Sequence, residues 1–209
     1  MDAALRRRVA REAANLLYLG IEKEYKQAKL RAAETLGLNV LPTNLEVAME
    51  LDKIAEENEG TARLERLVQM RREALKVMKI LEKYNPVLVG SVWRGTIHHR
   101  SDIDINVYSD NPQEVLDALV KSGVKILEKG WVKTTKEGVW IKAYRILADL
   151  NSNFTTEITV RNSSEYGKRE RCEVYGDTVS GLNIQELERV LLKNPTQRFT
   201  PFLDKPNHC

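Results

Sequence analysis

The chain has 209 residues, 42% of them hydrophobic and 30% charged, with a formal net charge of +3 and two cysteines. That size suffices for one well-buried core or two small domains, and no apolar run approaches the roughly 20 residues a bilayer span needs. The charged start from Met1 to Arg11 lacks a signal-peptide core, and Cys172 with the terminal Cys209 cannot build a disulfide framework or a usual zinc site, so the expectation is a cytoplasmic protein with reduced thiols.

Residues 1–84 read as helical. Leu5, Val9, Ala13, Leu16, Leu17, Ile21 and Tyr25 recur at helical spacing, and Gly37 stops the run after Leu36. Thr43-Asn44-Leu45-Glu46 is a capping box that opens a second helix, ending at Asn58 to Gly60. A third helix from about Ala62 to Lys83 carries Leu64, Leu67, Val68, Leu75, Met78 and Leu81 as its apolar stripe. The basic residues Arg6, Arg7, Arg8 and Arg11 are interleaved with acids, the pattern of a solvated helix face.

Pro86 marks a change of regime. Strands are expected near 87–89, 103–108, 124–128, 139–148 and 154–161. Asp110, with Pro112 just inside, caps a helix over 112–122 that stops at Gly123. Lys136-Glu137-Gly138 and Asn151-Ser152-Asn153 read as hairpin connections. A second capping box, Asn183-Ile184-Gln185-Glu186, opens a helix to about Lys193, and the tail from Pro195 to Cys209 is irregular. The expected organisation is a helical region over 1–84 and an α/β (α+β) domain over 85–209, built on a small mixed sheet with flanking helices.

The chemistry concentrates between Gly90 and Asn106. Gly90-Ser91 is a small-residue turn after Val87-Leu88-Val89, with the free amides and hydroxyl that suit phosphate oxygens. Further on, Asp102 and Asp104 alternate with Ile103 and Ile105, so both carboxylates project to one side of a strand. Two like charges so placed are costly unless a cation neutralises them. Paired carboxylates suit Mg²⁺, which shares its shell with waters and substrate phosphates. A phosphate cradle beside paired aspartates is equipment for metal-assisted phosphoryl or nucleotidyl transfer.

Gly90-Ser91, the spacer with Arg94-Gly95-Thr96, and Ser101-Asp102-Ile103-Asp104-Ile105 resemble the signature of the DNA polymerase β-like nucleotidyltransferase superfamily. The specific match covers about twenty residues, with a looser fit over roughly 86 to 165. The resemblance implies a transferase that moves a nucleoside monophosphate from a nucleoside triphosphate (ATP by default) to an acceptor hydroxyl or phosphate, releasing pyrophosphate. It implies Mg²⁺ or Mn²⁺ held by Asp102 and Asp104, with a third acid from a later strand. Glu157, in Thr155-Thr156-Glu157-Ile158, is the leading candidate for that acid and Asp149 the second. Gly90 and Ser91 would hold the triphosphate, Arg94 would fork onto phosphate oxygens, and Ser101 precedes the acid pair or merely terminates its loop.

The acceptor is left open between RNA, protein and a small molecule, and so is the oligomeric state. Two alternatives stand beside the enzyme: a regulatory or RNA- or protein-binding module of toxin–antitoxin type on the same fold, and pyrophosphate transfer. His98 and His99 point apart and have no third ligand at zinc spacing, which reads as a loop rimming the site. Lys168, Arg169 and Arg171 follow the third-acid strand and could neutralise a phosphorylated or nucleic-acid acceptor. Trp93, Trp131 and Trp140 could stack on a base, but core packing is their default reading.

Overall fold

The computed structural model describes residues 2–136, 139–150 and 154–201, with the side chains of Asp2 and residues 134–141 left aside. The two hairpin connections expected at 136–138 and 151–153, and most of the tail, fall outside the described residues. Three helices come first: α1 (Asp2–Tyr18), α2 (Tyr25–Leu36) and α3 (Asn44–Ile80). The single periodic run expected before Gly37 is thus two helices. Gly20 sits at φ +70° and turns the chain, and a Cβ there would lie 2.4 Å from the Arg100 guanidinium. Ile21, counted as core from its spacing, is 49% exposed on that turn.

The capping box forms as read: the Thr43 hydroxyl accepts from the Glu46 amide, and the Glu46 carboxylate accepts from the Thr43 amide. The second and third expected helices are both present and meet at a kink at Gly60 (φ 51°, ψ −136°), where the break was expected; the two halves are labelled together as α3. Two apolar clusters divide there. Val9, Ala13, Leu17, Ala28, Ala32, Val47, Leu51 and Ile54 close a core among α1, α2 and the first half of α3. Leu67, Met70, Ala74, Val77, Met78 and Leu81 from the second half join the other core, beneath the sheet. The expected boundary at 84/85 therefore falls within this second core. Leu64 is 41% exposed, and the neighbouring inward position is taken by Arg63. Arg6 and Arg7 reach Glu46 and Glu50 at 2.8 and 3.2 Å, and Arg11 reaches Glu57 at 2.5 Å, so the basic start of α1 is bound to the acids of α3.

The sheet is mixed and five-stranded. Its strands are β1 (Val87–Val89), β2 (Ile103–Tyr108), β3 (Lys125–Lys136), β4 (Val139–Asp149) and β5 (Thr155–Arg161), in the order β1-β2-β5-β4-β3. Only β2 and β5 pair in parallel. Between the first two strands lies the short helix α4 (Gly90–Arg94), and between β2 and β3 lies α5 (Pro112–Lys121). Ile103, Ile105, Val107, Ile146, Ile158 and Val160 point into the core against α3 and α5, leaving the alternate residues on the opposite face. A short hairpin of β6 (Glu170–Arg171) and β7 (Thr178–Val179) follows, then α6 (Ile184–Lys193), opened by the expected Asn183–Glu186 capping box.

Two local expectations are corrected. Asn111, not Asp110, caps α5, its side chain accepting from the Gln113 amide at 3.1 Å; Pro112 at the first helical position makes its immediate neighbour the cap. Asp110 instead accepts from the Ser163 amide and hydroxyl. Strand β3 does not stop near 128 but runs through Gly130 to Lys136, because the β-forming residues that follow find partners along β4.

A buried guanidinium ties the second core to the tail. Arg71 of α3 is fully buried and donates to the carbonyls of Val92, Trp93, Pro195 and Gln197 at 2.7–3.1 Å. Four carbonyl dipoles hold it with no carboxylate partner among the described residues, and burial pushes its pKa down to about 10. Arg63, also buried, donates to the Ile97 carbonyl at 2.6 Å and pairs with Asp52 and Glu56.

Candidate active site

The register of the sheet builds the site. Asp104 lies between Val89 of β1 and Glu157 of β5, as Cα partner of each. Side chains directly opposite one another share a face, so Asp104 and Glu157 stand side by side on the face away from the helices. Asp102 precedes Asp104 by two residues and belongs to the same face. Asp149 also lies on that face, but its strand partner is Thr155, and Lys125 approaches it at 3.8 Å. The residue directly beside Asp104 is Glu157.

Gly90 explains how Asp104 fits. The glycine opens α4 at φ +70°, and a Cβ on it would fall 2.0 Å from Asp104 Oδ2. The carboxylate therefore nests in the space that a side chain would fill, against the first turn of α4. The opening amides of a helix have no partner within the helix, so the start of α4 puts unpaired donors next to the acids. Ser91 follows, its carbonyl accepting from Gly95 and Thr96 at the other end of the turn.

The acids are held in an unfavourable state. Burial, then Glu157 and Asp102, push Asp104 up to about 7. Burial raises Asp102, against the opposing pull of Arg100. Burial raises Glu157 as well, opposed by Arg145, whose guanidinium stands 3.6 Å away, and reinforced by Asp102. A cluster of carboxylates that resist ionisation together is a donor set suited to a hard divalent cation. Gly90's empty Cβ position leaves Asp104 the room to serve in it. Among the described residues, no three His, Cys, Asp or Glu side chains form a ready-made ligand group; the fit rests on the two aspartates, with Glu157 turned toward Arg145.

Three cavities surround this row. One of about 460 Å³ opens at Asp102 and is bounded by Arg66, Arg100, Ser101 and Phe154. A second, of about 290 Å³, has Gly90, Ser91 and Ser101 on one wall and Tyr25, Leu51 and Tyr175 on the other. The third, of about 640 Å³, takes in Glu157, Thr159, Arg145 and Arg171. The contributions from α2, α3 and the β6–β7 hairpin had no signal in the sequence, because nothing local to Tyr25 or Tyr175 points to Ser91. Arg145 was equally silent: in sequence it is one alternating residue of a strand.

Arg94, expected to fork onto phosphate, has its guanidinium engaged by protein groups. It is buried at 3% exposure, grips Asp177 with two hydrogen bonds of 2.7 and 3.0 Å, and donates to the Phe199 carbonyl at 3.0 Å. Its guanidinium lies 4.4 Å from the Trp93 ring and 4.2 Å from the Tyr175 ring. The arginine fastens the hairpin and tail to α4, and it also lines the cavity with Gly90 and Ser91. Ser101 closes its loop, its hydroxyl accepting from the His98 amide at 2.9 Å.

His98 lines the cavity beside Ser91, and burial, reinforced by His99 and nearby arginines, pushes its pKa down to about 4. The His99 ring packs on Tyr18 at 4.5 Å, while its amide donates to Glu59. Lys168 and Arg169 line a further cavity with Asn106 and Tyr108, and Arg171 faces the one with Glu157. Trp93 is core, as expected; Trp131 is not, being 65% exposed. Trp140 lies outside the described side chains.

Residues 71–160 match the family model of a nucleotidyltransferase domain. Among solved structures, the chain is similar to one of a GLD-2/RNP-8 complex, with 13% identity over 58% of this chain and 39% of that one, at a TM-score of 0.35. It is similar to a cytoplasmic RNA terminal U-transferase, with 21% identity, 57% and 34% coverage and a TM-score of 0.28. A structure of Cid1, described for its RNA terminal uridylyl transferase activity, gives 18% identity, 55% and 36% coverage and a TM-score of 0.32. The chain thus spans no more than 39% of any of these three. A comparison with curated proteins finds no match.

Proposed function

From the match of residues 71–160 to a nucleotidyltransferase domain, we propose that the chain transfers a nucleoside monophosphate from a nucleoside triphosphate to an acceptor hydroxyl or phosphate, releasing pyrophosphate. The observation that carries this reading is the nesting of Asp104 against Gly90 with Glu157 as its strand neighbour. Asp102 and Asp104 would hold Mg²⁺ or Mn²⁺, with Glu157 as third carboxylate. When bound, the cation would neutralise charge on the phosphates and on the acceptor oxygen.

The chain's own residues have the remaining tasks. The opening amides of α4 and the Ser91 hydroxyl would cradle the outer phosphates, leaving the α-phosphate over the aspartates. Positioning of this kind is most of what phosphoryl chemistry asks of a protein. Glu157 is favoured over Asp149 as third carboxylate by register, since Asp149 is displaced along the strand and approached by Lys125. Arg145, close to Glu157, would stabilise its ionised form until a cation takes over. In keeping with the domain, ATP is the default donor.

Titration calorimetry of the full chain tests the reading. ATP is expected to bind only with Mg²⁺ or Mn²⁺ present, and the Asp102→Asn/Asp104→Asn double variant is expected to lose that binding. Nucleotide binding indifferent to metal, or unchanged in the double variant, would overturn it. ATP labelled at the α-phosphate should then leave its label on the acceptor, which separates this reaction from pyrophosphate transfer.

A further inference from the structure

Strands β3 and β4 continue past the sheet. Strand β5 pairs with β4 only from Tyr144 to Asp149, whereas β3 pairs with β4 all the way out to Lys136 and Val139. The outer part is a two-stranded ribbon, an arrangement that is marginal in water unless something packs on it. Its side chains alternate between two faces. One face carries Val132, Ala143 and Arg145, which line the 640 Å³ cavity with Glu157. The register puts Lys129, Trp131 and Lys133 of β3 with Lys142 and Tyr144 of β4 on the other, and Lys133 at the ribbon's edge also lines that cavity.

That second face has three unusual features. Trp131 is 65% exposed and meets the Tyr144 ring edge to face at 5.3 Å. Lys133 and Lys142 are direct strand partners, and like charges directly opposite destabilise a pair. Lys129 and Lys133 flank Trp131 on the same strand, spanning about 13 Å. Lysines on an edge strand often serve only to prevent strand pairing. That role does not account for Lys142, which belongs to the inner strand, nor for a bare tryptophan, which invites association.

We infer that this ribbon face is a clasp for single-stranded nucleic acid, with Trp131 stacking on a base and Lys129, Lys133 and Lys142 meeting phosphates. Lysines interleaved with an exposed aromatic ring provide the two elements of sequence-tolerant single-strand binding, backbone neutralisation and stacking. A polyanion also removes the repulsion between Lys133 and Lys142. Lys133 also lines the cavity holding Glu157, so one end of the clasp adjoins the place an acceptor would enter. Its identification with the acceptor rests on the transferase reading; the clasp itself does not.

The test is fluorescence anisotropy of a labelled single-stranded oligouridylate with the full chain. Wild type is expected to bind, more weakly as salt rises. Trp131→Ala should weaken binding between about five- and a hundredfold, the range for loss of one stacked base, and Trp131→Phe should restore most of it. Lys133→Gln/Lys142→Gln should lower the slope of log affinity against log salt by about 1.4, the loss of two phosphate contacts. Metal-dependent ATP binding should be unaltered in all three variants. Absence of oligonucleotide binding by wild type at low salt, undiminished binding by Trp131→Ala, or a dimer seen by light scattering that Trp131→Ala dissolves would each overturn the clasp. The Asp102→Asn/Asp104→Asn variant should keep oligonucleotide binding, so failure of the transferase reading leaves a different signature.

Discussion

Arg71 and Asp104 are both charged groups drawn out of water, and the chain treats them in opposite ways. Around Arg71, four carbonyls from α4 and the tail converge to take four of the five N–H donors of the guanidinium. Around Asp104, the nearest ionisable neighbours are two more carboxylates, and its pKa is pushed up to about 7. A satisfied buried charge holds the scaffold together. A frustrated one marks the place where a ligand is to complete the structure.

Substitution should separate the two in sign as well as size. Arg71→Leu leaves four buried carbonyls without a donor and is expected to cost about 3–5 kcal/mol, lowering the midpoint by about 6–20 °C in thermal denaturation. A smaller loss is expected for Gly90→Ala, which strains a positive φ by about 1–2 kcal/mol. Its Cβ must also displace the Asp104 carboxylate, so metal-dependent ATP binding measured by calorimetry should fall with it.

Asp104→Asn should do the reverse and stabilise the metal-free protein by a few degrees at pH 8. The sign follows from the raised pKa. Below the ordinary aspartate value near 4, Asp104 is protonated both folded and unfolded, and the variant has no advantage. As pH rises toward 7, the unfolded chain ionises while the folded site resists, so wild-type stability falls relative to the variant, and the gap is complete above 7. Midpoints of both proteins across pH 4–8 check this; a gap constant with pH would mean that Asp104 is not frustrated.

The same contrast sorts what the sequence made legible. The acid pair, the Gly-Ser turn and both capping boxes are local patterns, and each appears where spacing put it. Strands β2 and β5 were equally plain, since isoleucines and valines alternate with polar residues along both. The guanidinium clamps were invisible because their acceptors are backbone carbonyls, which have no sequence signature. Arg94 looked free for phosphate only because its partner Asp177 lies far along the chain. Apolar spacing continues through Gly20 and hides the break there, and the exposure of Trp131 depends on how far the ribbon outruns the sheet.

The parallel pairing of β2 with β5 also bears on how the protein forms. Asp104 and Glu157 become neighbours only after about fifty residues of intervening chain have been closed into a loop, and non-local pairings of that kind are slow to form. The β3–β4 hairpin, which joins consecutive strands, needs no such closure. Bringing Asp104 beside Glu157 therefore asks the chain to close a long loop against the mutual repulsion of their carboxylates.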